Sequence, residues 1–123
     1  MQALRDAARI FLERARQELE EGLRAGDQVQ VRQAAEKAWN AVVQATDSAM
    51  AAHGRTPLPG RDAHRDRREF LESIGRADLA REYAYFSERL HGDIYYGGEK
   101  VAPEAMRRYL DEVEAFVRHA AET

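Results

Sequence analysis

The fold is decided by residues 27–49, which read DQVQVRQAAEKAWNAVVQATDSA. Asp27 followed three positions later by Gln30 is typical of a helix start, because the first side chain can accept a hydrogen bond from a free N–H group of the first turn. Apolar residues then recur every three or four positions, the period of one helix face. These positions are Val31, Ala35, Ala38, Val42, Ala45 and Ala49. The helix should end near Gly54, and its small side chains indicate a closely packed neighbour.

The helical period continues through the rest of the chain, and no segment alternates like a β-strand. One long helix ends around residues 22–26, and three more follow a loop at 54–61. Asp62 is expected to cap the third helix and Pro103 to begin the last. The seam of the fourth helix should be Leu79, Tyr83, Phe86, Leu90 and Ile94. The sequence therefore predicts a single all-α domain over residues 1–123, an antiparallel up-down bundle of about five helices.

Composition narrows the classes of function. The chain has 123 residues, a net charge of −3 and 33% charged residues, so it offers no general basic field for nucleic acid phosphates. The absence of cysteine excludes disulfides, thiol nucleophiles and cysteine-ligated zinc. The first residues carry charges every few positions and predict neither a signal peptide nor a membrane span. We therefore expect a cytoplasmic protein with no membrane contact.

Two segments carry most of the chemistry, AAEKAWNAV at residues 34–42 and SERLHGDIYYGG at residues 87–98. In the second segment, His91 and Tyr95 lie one helical turn apart, so an imidazole and a phenol could face one cleft. Such a pair suits proton transfer or contact with a phosphate, and Tyr96 extends the patch. The alternative is that the histidine packs beside the apolar seam and that the tyrosines anchor a helix end.

In the first segment, the candidate binding residues surround Trp39, the only tryptophan. Glu36 and Asn40 share a face beside it at a four-residue spacing, and Lys37 follows Glu36. Trp39 could line a groove or a subunit contact, or pack in the core. We expect one cleft between the second and fourth helices to hold Glu36, Trp39, His91 and Tyr95.

Two further sequence patterns could form a binding site. The run HRDRR at residues 64–68 is the most basic in the chain, and His64 and Arg65 could contact phosphates there, although a charged, solvated helix start is the commoner explanation of such a run. Glu88 and His91 have the Glu-x-x-His spacing of metal sites in helical bundles. No other histidine follows a glutamate at that spacing, so the ligand set is incomplete. Neither a resident metal nor another cofactor is predicted.

Two longer runs resemble the signature segments of the archaeal PaREP family of small helical proteins. They are GDQVQVRQAAEKAWNAVVQAT at residues 26–46 and ERLHGDIYYGGEKVAPEAMRRYLDEVEAFV at residues 88–117. The family looks like a branch of the HEPN group, the nucleotide-binding domains of higher eukaryotes and prokaryotes. The resemblance implies an up-down bundle of four or five helices, often a homodimer, and a small nucleotidyltransferase or an RNA as partner.

The HEPN resemblance also bears on catalysis. Active HEPN ribonucleases carry an arginine followed by a histidine after four to six residues, and His91 has no arginine at that distance. We therefore favour a non-catalytic HEPN-like module that binds a nucleotide, a short RNA or a protein. A degenerate, metal-independent ribonuclease is the first alternative, with His91 as acid or base and Arg65 or Arg89 at the phosphate. A metal-binding bundle that uses Glu88 and His91 is the second, and enzymatic activity stays open.

Overall fold

A computed structural model of the protein describes residues 2–123, and that part of the chain is helical with no β-strand. Its helices are α1 (Gln2–Ala25), α2 (Gln28–Ala52), α3 (Ala63–Ser73), α4 (Ala77–Phe86) and α5 (Pro103–Ala121). The predicted all-α bundle of about five helices is confirmed. The central element is α2, because it contacts each of the other four helices. No helix within residues 2–123 is long and apolar enough to cross a membrane.

A tight turn makes α1 and α2 antiparallel. Gly26 has a φ of 64°, a left-handed conformation that costs glycine little. The Asp27 side chain then accepts a hydrogen bond of 3.2 Å from the N–H of Gln30, as the helix-start pattern predicted. A Cβ on the buried Gly22 would lie 3.1 Å from Cγ2 of Val31, so a small residue is favoured where the two helices meet.

The apolar core lies between α2 and the helices that surround it. Phe86 of α4 and Phe116 of α5 are fully buried in this core, and their rings meet edge to face. We call the four alanines of α2 that have no exposed surface the alanine face: Ala34, Ala35, Ala38 and Ala41. The predicted seam of the fourth helix is also buried, at Leu79, Tyr83, Phe86, Leu90 and Ile94.

The fourth helix differs from its prediction in one respect. It is α-helical only to Phe86 and continues directly as a π-helix over Ser87–Tyr96, called the π-segment below. At its end, the N–H of Gly97 donates to the carbonyl of Gly92, five residues back, which is the bond of this helix type. The last two steps of the apolar seam are four residues each, a spacing that both helix types accommodate. Periodicity alone therefore did not separate them.

The start of α3 also corrects a prediction. Asp62 precedes α3 within a short 3₁₀ turn, Gly60–Asp62, and its side chain caps no N–H group. Its φ of −83° and ψ of −8° are helical, whereas a capping residue is extended. The carboxylate instead lies 3.4 Å from Arg65. The other predicted start is confirmed, since Pro103 occupies the first turn of α5.

Exposed ion pairs join α1 to α5. Arg16 reaches Asp111 at 3.1 Å and Glu114 at 2.9 Å, and Arg107 reaches Glu20 at 2.9 Å. Exposed pairs of this kind contribute only about 0–1 kcal/mol each. Apolar burial, rather than these ion pairs, therefore holds α5 in place.

Candidate functional site

One face of α2 carries polar side chains that bond to the elements covering it. Arg32, Glu36 and Asp47, which we call the polar row, share this face at spacings of four and eleven residues. The π-segment covers the row at Arg32 and Glu36, and α3 covers it at Asp47. A rise of 1.5 Å per residue makes the row roughly 22 Å long.

At the middle of the row, His91 of the π-segment bonds to Glu36. Nδ1 of His91 lies 2.8 Å and 2.9 Å from the two carboxylate oxygens of Glu36. The side chains are 35% and 19% exposed, so the pair is shielded but open to a ligand. Nε2 of His91 has no hydrogen-bond partner among residues 2–123. A carboxylate that holds one nitrogen of a histidine orients the ring and leaves the other nitrogen available.

The π-helical geometry sets which side chains accompany His91. Neighbours on one face of a π-helix lie four or five residues apart. The ring of Tyr95 accordingly stacks on that of His91, with centroids 6.2 Å apart and planes inclined by 18°. Tyr96 meets His91 edge to face at 4.9 Å. Glu88, three residues before His91, is exposed and makes no recorded contact with that histidine.

Arg32 fixes the end of the π-segment. Its Nε and one terminal nitrogen donate to the carbonyl of Tyr95 at 2.9 Å and 2.6 Å, and the carbonyl of Tyr96 lies 3.4 Å away. Within residues 2–123 the guanidinium has no carboxylate partner, so its charge is not neutralised by an ion pair. A groove of about 270 Å³, the tyrosine groove, opens here and is lined by Val29, Arg32, Gln33, Tyr95 and Tyr96.

A second polar cluster lies at the other end of the row. The guanidinium of Arg67 donates to both carboxylate oxygens of Asp47, at 2.7 Å and 3.2 Å. Arg67 also donates to the Tyr83 hydroxyl at 3.4 Å and to Nδ1 of His64 at 3.3 Å. The Tyr83 oxygen and Nδ1 of His64 are 2.7 Å apart. The four side chains form one connected network beneath the surface.

Burial controls the ionisation of this network. It raises the pKa of Tyr83 to about 12, so the phenol keeps its proton and can donate it to His64. Burial also lowers the pKa of His64, and the positive charges of Arg67 and Arg68 act in the same direction, while Asp47 opposes them. His64 is therefore neutral at physiological pH.

Trp39 connects the two clusters. Its ring centroid lies 5.5 Å from that of His64, 6.1 Å from that of His91 and 4.9 Å from that of Tyr83. The indole is only 3% exposed, so it packs beside the two histidines and offers little surface of its own. Trp39 thus belongs to the core, and it does not line a groove.

The structure brings together most of the residues singled out in the sequence, namely Glu36, Trp39, His64, His91, Tyr95 and Tyr96. Asn40 is half-buried on α2, whereas Lys37 pairs with Glu18 of α1. Arg65 is exposed and faces Asp62 and Glu69.

The ribonuclease alternative needs an arginine beside His91. Arg89, one of the two arginines expected there, has other partners. Arg89 donates to the Tyr109 hydroxyl at 2.8 Å, to Asp93 at 2.7 Å and to Glu99 at 2.5 Å. These contacts tie the π-segment to α5 and leave no arm directed at His91. Arg32, which donates to the backbone of the π-segment at Tyr95, is the arginine that joins this segment to α2.

Arg32, Asp47, Arg67 and Tyr83 were missed. A usable signal existed for two of them, because Arg32 and Asp47 are charged residues on an alanine-rich helix and share a face with Glu36. Tyr83 was assigned to the apolar seam, and its hydroxyl has no separate signature there. Within residues 2–123, no group of three or more histidine, aspartate or glutamate side chains could hold a metal ion.

The fold and the site together define the class of this protein: it is an all-α bundle whose central helix carries a row of paired polar groups. The profile of the archaeal PaREP1/PaREP8 family matches residues 10–122. The chain therefore belongs to this family, as its two signature segments predicted. No curated protein and no solved structure gives a significant match.

Proposed function

We propose that this protein is a non-catalytic, HEPN-like binding module whose ligand is a nucleotide or a short single-stranded RNA. The ligand lies in the tyrosine groove and extends along the polar row toward His91. The observation that carries the proposal is Arg32, a cation without an acidic partner in residues 2–123, beside the exposed ring of Tyr96.

The groove combines the two chemistries that nucleotides require. An arginine binds phosphate oxygens through paired N–H groups, and the free N–H groups of Arg32 are available for this. The ring of Tyr96 is 70% exposed and offers a face on which a base can stack. Stacking of a base on an aromatic side chain contributes roughly 1–3 kcal/mol. Gln33 adds an amide for contact with a base edge.

Charge limits the size of the ligand. The net charge is −3, and most arginines near the site are paired with carboxylates. A long nucleic acid gains affinity from many phosphate contacts, which this surface does not offer. We therefore expect modest affinity for a few nucleotides.

The test is binding of a labelled short single-stranded RNA, followed by fluorescence anisotropy. Tyr96→Ala should weaken binding about tenfold, because a lost stacking contact of 1.4 kcal/mol corresponds to that factor. Tyr85→Ala is the matched control, since Tyr85 is also exposed but packs near Tyr109 of α5. Equal losses in both variants, or no binding by the wild type, would contradict the proposal.

A metal-independent ribonuclease is the second candidate, and the Glu36–His91 pair is the observation that favours it. With Nδ1 held by the carboxylate, Nε2 of His91 could take the proton of a ribose 2′-hydroxyl, whose oxygen then attacks the adjacent phosphorus. The 5′-oxygen leaves with a proton from water, which gives a 2′,3′-cyclic phosphate and a 5′-hydroxyl. Arg32, rather than Arg65 or Arg89, would stabilise the phosphate charge. Cleavage in chelator that is lost in His91→Ala and reduced in Glu36→Gln would establish this activity. If the RNA stays intact with the wild type and with every variant, the non-catalytic binding module remains the proposed function.

We also propose that the protein is a homodimer and has a nucleotidyltransferase partner, as the HEPN resemblance implies. Exposed apolar side chains such as Ile10 and Leu58 support a contact with another chain. Light scattering should give twice the chain mass of 14.0 kDa. Co-purification with a co-expressed archaeal nucleotidyltransferase would test the second partner.

A further inference from the structure

His64 and His91 both lie beside the Trp39 ring, with centroids 5.5 Å and 6.1 Å from its own, and each is held through Nδ1. Nδ1 of His91 meets Glu36, and Nδ1 of His64 meets Tyr83 and Arg67. Neither Nε2 atom has a partner among residues 2–123. The partners at Nδ1 are chemically opposite, and they therefore set opposite properties at Nε2.

For His91, the partner only accepts hydrogen bonds. An ionised carboxylate has no proton to donate, so Nδ1 of His91 must carry the hydrogen that lies between them. In the neutral ring the other nitrogen then has a free lone pair. In that neutral form, Nε2 of His91 is an acceptor.

For His64, both partners donate. The guanidinium of Arg67 has no acceptor site, so Nδ1 of His64 must supply the lone pair for their 3.3 Å contact. The Tyr83 hydroxyl oxygen receives an N–H of Arg67 and can direct its own proton to the same nitrogen at 2.7 Å. The single proton of the neutral ring must then be on Nε2. Burial and Arg67 both lower the pKa of His64, which keeps the ring neutral.

We propose that His64 and His91 form a donor–acceptor pair that recognises a ribose 2′-hydroxyl together with a neighbouring phosphate oxygen. The hydroxyl donates to Nε2 of His91, and the phosphate oxygen accepts from Nε2–H of His64. A deoxyribose lacks the first of these bonds and leaves the lone pair of His91 unpaired. The pair therefore selects RNA over DNA of the same sequence. This inference rests on the proposed nucleotide-binding function and adds the sugar as its determinant.

The tautomers can be measured without any ligand. Long-range proton–nitrogen correlation spectra at neutral pH should show His64 with its proton on Nε2 and His91 with its proton on Nδ1. Tyr83→Phe and Glu36→Gln should each alter the spectrum of only the histidine that loses its partner. Identical tautomers in the two rings would overturn the donor–acceptor pair.

Ligand selectivity is measured with a short labelled oligoadenylate and its deoxy counterpart. The wild type should prefer the RNA about tenfold, the effect of one hydrogen bond lost beside an unpaired group. His64→Phe keeps a ring against Trp39 and should weaken binding of both ligands. His91→Phe should weaken mainly the RNA and bring the preference to within about twofold, because the acceptor is removed.

A matched control and two contrary outcomes complete the experiment. His53→Ala removes a histidine whose ring packs on Phe70 at the end of α2, and it should change neither affinity. Equal binding of RNA and DNA by the wild type would overturn the sugar selectivity while the proposed function stands. No binding of either ligand would overturn the proposed function, and the ligand assignment with it.

Discussion

The two faces of α2 are stabilised in different ways. The alanine face, Ala34, Ala35, Ala38 and Ala41, has no polar group and is positioned by shape alone. In the polar row, each side chain bonds to a residue far along the chain: Arg32 to Tyr95, Glu36 to His91 and Asp47 to Arg67. The alanine face thus determines how the helices pack, and the polar row positions the side chains of the candidate site. Mutations on the two faces should therefore differ in size and in kind.

The largest effect is expected on the alanine face. Ala38→Leu places three extra carbon atoms in a fully buried position, where overpacking should lower the free energy of unfolding by about 2–3 kcal/mol. Urea unfolding followed by circular dichroism measures this. Ala84→Leu, at an exposed position of α4, is the control and should change stability by no more than about 0.5 kcal/mol. Similar losses at both positions would argue against close packing at Ala38.

The second-largest loss of stability is expected from a substitution at the end of the π-segment. A Cβ at Gly97 would lie 2.6 Å from the carbonyl oxygen of Asp93, and this backbone contact can be relieved only by moving the helix end. Gly97→Ala should therefore cost about 2 kcal/mol in chemical unfolding. Gly92→Ala is matched to it, because its Cβ would meet only the Ser87 carbonyl at an ordinary 3.6 Å. A neutral Gly97→Ala would mean that the π-segment ends differently from what is described here.

A smaller effect is expected from the buried hydroxyl of the second polar cluster. Tyr83→Phe leaves the shape of the core unchanged but removes one of the two partners of His64 and one partner of Arg67. The loss should be about 1–2 kcal/mol, the cost of leaving buried polar groups unsatisfied. Tyr96→Phe removes a hydroxyl from an exposed ring and should be neutral. Thermal unfolding of both variants decides whether the network contributes to stability.

The difference between the faces also explains what the sequence could predict. Apolar spacing located the helices, and local chemistry located Asp27 and Pro103 at helix starts, because these signals act within one turn. The partners of the polar row lie on other elements, so no residue close in sequence to Arg32 or Asp47 predicts these contacts. The π-segment escaped prediction because its seam keeps a spacing that an α-helix also shows. His91 and Glu36 were selected by residue type, while their contact depends on the tertiary fold.

The smallest effect should be a pH dependence of His64. Its folded-state pKa lies below the ordinary value of 6.5, because burial and Arg67 disfavour the charged ring. Below pH 6.5 the unfolded chain therefore binds more protons at this residue, so the free energy of unfolding should fall as the pH is lowered from 6.5 toward the folded pKa. A nuclear magnetic resonance titration of His64, folded and in urea, measures both values. A folded pKa at or above the unfolded one would contradict this effect, because burial and Arg67 would then not disfavour the charged ring.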